Sequence, residues 1–486
     1  MASISPLLPL PTNLPTKEIP GGYGPPFFGA LSDRLDLIYN PAGPDAFFES
    51  RMKKYNSTVF RVNIPPGGIF FPDPRVIMLL DQKSFPVLFD TTKVDKTDIF
   101  TGTYMPPVSC TGGFRVLPYL DPSEERHTKL KGFCFEILKS NASKWFPEFH
   151  KAFMEAGTIW DSQLTSDGRA NFSDATDEFA LNFLLRSIVN RDPTIRGEVD
   201  LGDNPASLLV PWIAFQLYPI IPLGILPKYV EDFIFHNFQL PFWPVKGYYD
   251  KLYKFFKTYG TEAIDIAVTK FDLHREDAIH NLIFFVCFNT HGGIKRLFPS
   301  IVRHISDAGA ELQQELAQEV QSAVKSHGGL TPKALGSMPL VESTVYEVLR
   351  IEPPVAYQYG RAKNDLIIES HDAAYKVKKG EMLGGYQPCA TRDPKVFANP
   401  KAFLPKRFLG DEGQRLLQYV LWSNGQETSE PTVSNKQCAG KNFVVLISRL
   451  FVAELFSRYD YIKLGPPVGK GVSPKFFFTT LQKSQI

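Results

Sequence analysis

The sequence predicts a mainly α-helical fold with a minor β part, built as one large domain. Three observations carry this. From about Glu124 to Lys325, apolar residues recur at the three- and four-residue intervals of helices. Strand-like runs are short and flank that block: "STVFRVNI" and "RVIMLLD" before it, "LIIESHDAAYKVKKGEMLGGY" after it. No internal repeat, low-complexity tract or linker divides the 486 residues. The expected organisation is a flexible, Pro-rich N-terminus over 1–19 and a single domain over 20–486.

Taken in order, "MASISPLLPLPTNLPTKEIPGGYGPPFFG" is too short and too broken by Pro6, Pro9 and Pro11 for a signal peptide or a bilayer span. It also lacks the Ser/Arg-rich leader of a plastid transit peptide. "EERHTKLKGFCFEILKS" follows Asp121-Pro122-Ser123, a helix-start signal. "LLVPWIAFQLYPIIPLGILP", residues 208–227, has no charge, but its four prolines oppose a spanning helix. It reads as two short buried helices with a turn, and also as an apolar lip for peripheral membrane contact or lipid entry. "EDAIHNLIFFVCFNTHGG" is a long apolar helix ending near Gly292-Gly293. "ELQQELAQEVQSAVKSHGG" is amphipathic with a glycine stop, and "PLVESTVYEVLRIEPP" ends before Pro353-Pro354. "FLPKRFLG" reads as a loop.

The net charge of +2 gives no electrostatic case for nucleic acid. Five scattered cysteines, without a CxxC pair, argue against a disulfide framework or a structural zinc site and for a reducing compartment. Forty Phe point to a large aromatic core.

Chemistry concentrates in "SNKQCAGKNFVVLISRLFVAELF", Ser434 to Phe456. Cys438 stands just before a helix that is apolar on nearly every face and therefore buried. Exposed N–H groups and the helix dipole favour a thiolate there. A lone cysteine in that position is more often an inert buried thiol. Glu347 and Arg350 share a helix face among apolar neighbours, and Arg407 follows in "FLPKRF". Two arginines and one glutamate can form a buried network that holds the loop before the cysteine.

Glu-x-x-Arg, then Pro-x-Arg-Phe, then Cys-x-Gly before a buried helix together resemble the cytochrome P-450 superfamily. Where that superfamily has Phe, Gly and a basic residue before its cysteine, this chain has Pro431, Ser434 and Lys436. The altered loop, "WSNGQETSEPTVSNKQCAGK", is similar to that of the plant fatty-acid-hydroperoxide enzymes: allene oxide synthases, hydroperoxide lyases and divinyl ether synthases. "EIPGGYGPPFFG", "SFPVLFD", "TGTYMP", "YLDPSE", "FNTHGG" and "RIEPPV" extend the resemblance over nearly the whole chain.

The resemblance implies the cytochrome P-450 fold, with heme b between two long helices and Cys438 as axial ligand of its iron. It implies propionate contacts at Lys96, His127, Lys131 and Lys436, and a structural network of Glu347, Arg350 and Arg407. Oxygen-activating members carry an acid-Thr pair, whereas no acid stands near Thr290 here. A hydroperoxide arrives with its oxygen already reduced, and a neutral amide, Asn289, suits its cleavage. Phe100 matches the aromatic of the allene oxide synthases, where lyases carry Leu. Lys295 and Thr391 match substrate-side positions. His291, Gly384 and Cys389 replace larger or aromatic residues of relatives.

The implied activity is that of a hydroperoxide dehydratase. A ferric heme-thiolate splits the O–O bond of a polyunsaturated fatty-acid hydroperoxide homolytically, and an allene oxide, a jasmonate precursor, leaves with water. Neither dioxygen nor a reductase is required. The alternatives are lyase or divinyl ether chemistry on the same substrates, or a non-catalytic lipid-particle protein. Plastid or plastid-envelope residence is implied, with cytosolic or lipid-body residence as the alternative.

Overall fold

A computed structural model describes residues 13–66, 73–469 and 474–484. Most of the expected flexible N-terminus, residues 1–12, lies outside the described residues. Thr16–Lys17 form a short parallel strand against Ala374–Tyr375, and Ile19 is buried.

Helices dominate, with small sheets beside them. The largest sheet has five strands in the order Val59–Asn63, Arg75–Leu79, Met382–Tyr386, Tyr357–Ala362, Val94–Asp95; only the second and third run parallel. A three-stranded sheet joins Tyr459–Leu464, Phe477–Lys483 and Ala170–Asn171. The strand-like runs of the sequence fall in these sheets or in the pair Leu366–Glu369 and Ala374–Val377. Two helices near the N-terminus, Phe28–Tyr39 and Gly43–Tyr55, were hidden by the Pro/Gly-rich composition there.

The core is aromatic, as forty Phe suggest. Phe298 stacks on Phe451 at 4.2 Å, and Phe179 lies 6.1 and 6.3 Å from the two rings. These three side chains join the helices Phe172–Leu184, Gly292–Ala308 and Lys441–Arg458. Offset stacking of buried rings adds about 0.5–1.5 kcal/mol per pair beyond the burial itself.

The long helix does not end at Gly292-Gly293. Arg275–Ile283, a π-helical stretch Phe284–His291 and Gly292–Ala308 form one rod through the core. Gly292 is itself right-handed helical (φ −61°, ψ −35°). Burial of Ile294, Leu297, Phe298 and Ile301 beyond it outweighs the cost of about 1 kcal/mol for a mid-helix glycine. The helix Glu125–Ser140 begins after Asp121-Pro122-Ser123 as the sequence predicts. Its N-cap is Glu124, and the Asp121 carboxylate accepts bonds from Ser123 and from the Lys96 N–H.

Residues 208–227 are not two buried helices. They contain one helix, Leu209–Leu217, a 3-10 turn Tyr218–Ile220, and an irregular run to Pro227. The Glu231 carboxylate organises that run by accepting four backbone N–H groups, Leu223 through Leu226, at 2.9–3.3 Å. Asp232 beside it forms a buried two-point ion pair with Arg34, at 2.6 and 2.7 Å. No helix of the described residues is long and apolar enough to cross a membrane.

Glu347 is fully buried between Arg350 and Arg407, at 2.7 and 3.0 Å, and also accepts the Leu404 N–H. Arg350 spends its other N–H groups on the carbonyls of Thr391, Pro400 and Ala402. Removing one partner of a buried ion network costs about 3–5 kcal/mol, because the others stay buried and uncompensated. Glu347→Gln therefore lowers the unfolding free energy by about that amount, read from the urea midpoint.

Candidate active site

Cys438 lies two residues before Gly440, the N-cap of Lys441–Arg458. The loop that carries it has only the short hairpin Leu421–Trp422/Gly425–Gln426 as regular structure, so side chains hold it. Gln358 donates to Trp422 O and accepts from Asn424 N. Gln387 donates to Leu421 O, and Gln437 to Gln426 O. Glu427 receives Tyr346 Oη at 3.0 Å and the Trp422 indole, while buried Lys441 bonds its carbonyl. Cys438 N itself donates to Ser423 O. Gln358, Gln387 and Lys441 escaped the sequence reading because lone amides and lysines carry no pattern. Glu427 lay inside the quoted loop without an assigned task.

Cys438 is unpaired and partly exposed. Burial pushes its thiol up, while the Gly440 N–H and the charge of Lys131 pull the other way. Both latter effects favour a thiolate once a cation sits on the sulfur.

Lys96, His127, Lys131 and Lys436 are buried or nearly so. Their partners are carbonyls. Lys436 bonds Leu117 O, Pro118 O and Leu120 O; Lys131 bonds Asn435 O and Oδ1; Lys96 bonds Tyr359 O. Among the described residues none of the four makes an ion pair with a carboxylate. Burial first, then mutual repulsion, drives Lys96 and Lys436 down to about 7 and His127 down to about 3. Burial likewise takes Lys131 down to about 8. The His127 Nδ1 is buried without a partner. A concentration of buried donors with no carboxylate in ion-pair contact, beside a cysteine poised for a metal, fits a heme with its two propionates.

The π-helical stretch carries Asn289 and connects to the 117–120 turn through aromatic contacts. Asn289 is exposed between buried Phe288 and Thr290, and its amide has no hydrogen-bond partner among the described residues. Thr290 Oγ1 turns back to Phe285 O at 2.8 Å. Phe100 lies 6.0 Å from Phe288, 6.2 Å from Phe284 and 6.0 Å from Tyr119. Gly102 (φ +90°) permits the close pass of this loop over the Tyr359 ring, where a Cβ would stand 2.7 Å from the ring. Tyr119 sits among the carbonyls that hold Lys436, so one continuous set of contacts joins Phe288, Phe100, the 117–120 turn and the Cys438 loop.

Two expected site residues already have protein partners. Thr391 is completely buried; its hydroxyl bonds Gln387 O and its carbonyl is taken by Arg350. It belongs to the Glu347 network and offers no donor to a substrate. The Lys295 ammonium contacts the Asp177 carboxylate, so its charge is already matched.

A cytochrome P450 family model matches residues 310–469. The chain is 50% identical to allene oxide synthase, chloroplastic, of Arabidopsis thaliana over 97% of this chain and 90% of the relative. It is 50% identical to allene oxide synthase CYP74A2 of Parthenium argentatum over 96% of this chain and 98% of the relative. A divinyl ether synthase, CYP74M1 of Selaginella moellendorffii, is 45% identical over 92% of this chain.

Linkage makes the buried cations visible in solution. Lys96 titrates near 7 folded and near about 10.4 unfolded. Between these values the unfolded chain binds a proton that the folded protein does not, so stability of the heme-free protein rises with pH across that window. Heme loading, by supplying carboxylates, restores the proton and flattens the slope. Melting temperature against pH, with and without heme, measures both.

Proposed function

The chain belongs to the allene oxide synthase branch of the cytochrome P450 family, and from that membership we propose how its own residues divide the dehydration of a polyunsaturated fatty-acid hydroperoxide to an allene oxide and water. The enzyme is a hydro-lyase and needs neither dioxygen nor a reductase. Bound heme supplies homolytic O–O cleavage, with the thiolate of Cys438 donating electron density to the iron.

Everything else falls to the protein. Lys96, His127, Lys131 and Lys436 hold the propionates. The observation that carries the reading is Asn289: a free amide, the one exposed residue in a mostly buried stretch that contains no acid. An amide donates a hydrogen bond to peroxide oxygen without releasing a proton, so it orients cleavage and does not hydrolyse the substrate. Phe100 would present a π-face to the substrate carbon that returns one electron to the heme, and an interaction of cation–π type would favour that transfer over oxygen rebound. Loss of a proton then completes dehydration. The buried cations weigh against a non-catalytic lipid-particle role, since without an anionic ligand they only destabilise the fold.

The names of relatives support residence in the plastid. Peripheral contact with a membrane rests on apolar side chains left in solvent: Phe28 and Ile225 at 67% and 69% exposure, with Tyr229, Phe233 and Trp243. This lip lies partly downstream of the expected segment 208–227. Tyr229→Ser/Phe233→Ser abolishes co-flotation with vesicles of plastid lipids while leaving turnover intact; unchanged flotation removes the lip from consideration.

Incubation of purified protein with one hydroperoxide yields ketols and cyclopentenones; aldehydes or divinyl ethers as main products would replace the reading by lyase or divinyl ether chemistry. Cys438→Ala loses turnover and the thiolate heme spectrum. Asn289→Ala lowers kcat by about 100-fold, the scale of one lost transition-state donor, with heme retained. Phe100→Leu shifts product toward aldehydes.

A further inference from the structure

The short turn Leu117–Tyr119 and the residue after it lend three carbonyls, Leu117 O, Pro118 O and Leu120 O, to the Lys436 ammonium. The remaining carbonyl, Tyr119 O, accepts from Asp98 N and Arg115. Donors are fewer. Pro118 has no N–H, and the N–H groups of Tyr119 and Leu120 bond back to Val116 O and Leu117 O. That leaves the Leu117 N–H. It donates to Asn281 Oδ1 at 2.9 Å, 164 positions away on the central rod.

Asn281 is buried inside Arg275–Ile283, where asparagine is a poor helix former. Both ends of its amide are in use. Nδ2 donates to Asp277 O at 3.0 Å and to Asp277 Oδ1 at 2.7 Å. Arg126 grips the Asp277 carboxylate at two points, 2.6 and 2.7 Å, from the helix that carries His127 and Lys131. Asp277 takes the donor end of the amide, so the acceptor end has one direction left, toward the turn.

Three carbonyls converge on one ammonium only when the turn is fixed in place as well as in shape. The bonds inside a 3-10 turn fix its shape alone. Asp98 and Arg115 tie it to its own neighbourhood in the chain. Among the described residues, Asn281 makes the one hydrogen bond between this turn and the rod that carries Asn289. Lys436 stands two residues before Cys438, so the bond links the rod to the cysteine loop through a single lysine.

We propose that Asn281 is a positioning residue for the cofactor: through the 117–120 turn it sets where the Lys436 ammonium stands to meet a heme propionate. This rests on the reading of Lys436 as a propionate contact. Asn281 acts through the turn and the lysine, not on the cofactor directly.

The rate at which loaded protein loses heme to excess heme-free globin tests this, in wild type, Asn281→Ala, Leu117→Pro, Lys436→Met and Asn281→Ala/Lys436→Met. Leu117→Pro deletes the same bond from its other end; Val116 is already extended (φ −78°, ψ 163°), as a residue before proline prefers. Asn281→Ala and Leu117→Pro each lose heme roughly tenfold faster, the scale of one buried hydrogen bond. Lys436→Met loses it at least as fast, and adding Asn281→Ala to Lys436→Met brings no further increase, because residues that act through one contact are not additive. A residue that only supports the fold speeds loss by the same factor in both backgrounds, and that result overturns the proposal. So does an unchanged rate in Asn281→Ala and Leu117→Pro beside a faster one in Lys436→Met. An unchanged rate in Lys436→Met refutes the propionate reading itself, and the proposal with it.

Discussion

Three lysines and one histidine brought together away from water, with no carboxylate in ion-pair contact, are the constraint from which the rest of the structure follows. Lys96, His127, Lys131 and Lys436 come from a sheet-edge segment, one helix and the cysteine loop. Holding them together requires carbonyls from residues 117–120, Asn435 and Tyr359 to stand still at the same place. Carbonyl dipoles partly offset burial of an ammonium, but only an anion does so fully. The helices, the five-stranded sheet and the Cys438 loop can thus be read as supports for a site that is electrostatically incomplete by itself.

The central rod imposes the complementary condition. Around the buried basic groups charge is abundant; the π-helical stretch holds no acid, and its polar side chains are the amide of Asn289, the hydroxyl of Thr290 and the imidazole of His291. Oxygen activation needs protons delivered to oxygen, and a wall without an acid cannot deliver them. Cleavage of a peroxide needs only orientation, followed by control of where the resulting carbon centre goes. Phe100, set against Phe284 and Phe288, is placed for that second task.

Much of this was legible in the sequence. Helices with strong caps and periodicity, such as Ala310–His327 with Gly328 in the left-handed region, lie where the pattern puts them. So do Pro339–Ile351, stopped before two prolines, and the buried helix Lys441–Arg458. The Glu347–Arg350–Arg407 network followed from spacing and apolar neighbours. The failures share one cause, that local signals were overridden by packing. Gly292-Gly293 reads as a helix stop, yet the rod continues because its next turns are buried. Residues 208–227 read as two buried helices and also as an apolar lip; a Glu231 outside the segment replaces the second helix by an irregular run with exposed apolar side chains.

The sequence by itself determined the mainly helical fold class and the acid-free stretch around Asn289, because these are properties of residue type along one element; the task of the cysteine and of the basic residues came from the resemblance of its motifs to a known family. Tertiary structure alone decided which groups are free. Asn289 keeps an unpaired amide, whereas Lys295 is bound to a carboxylate 118 positions away and Thr391 is consumed by Arg350. Such pairings depend on which surfaces of distant helices meet, and no spacing within one helix encodes that.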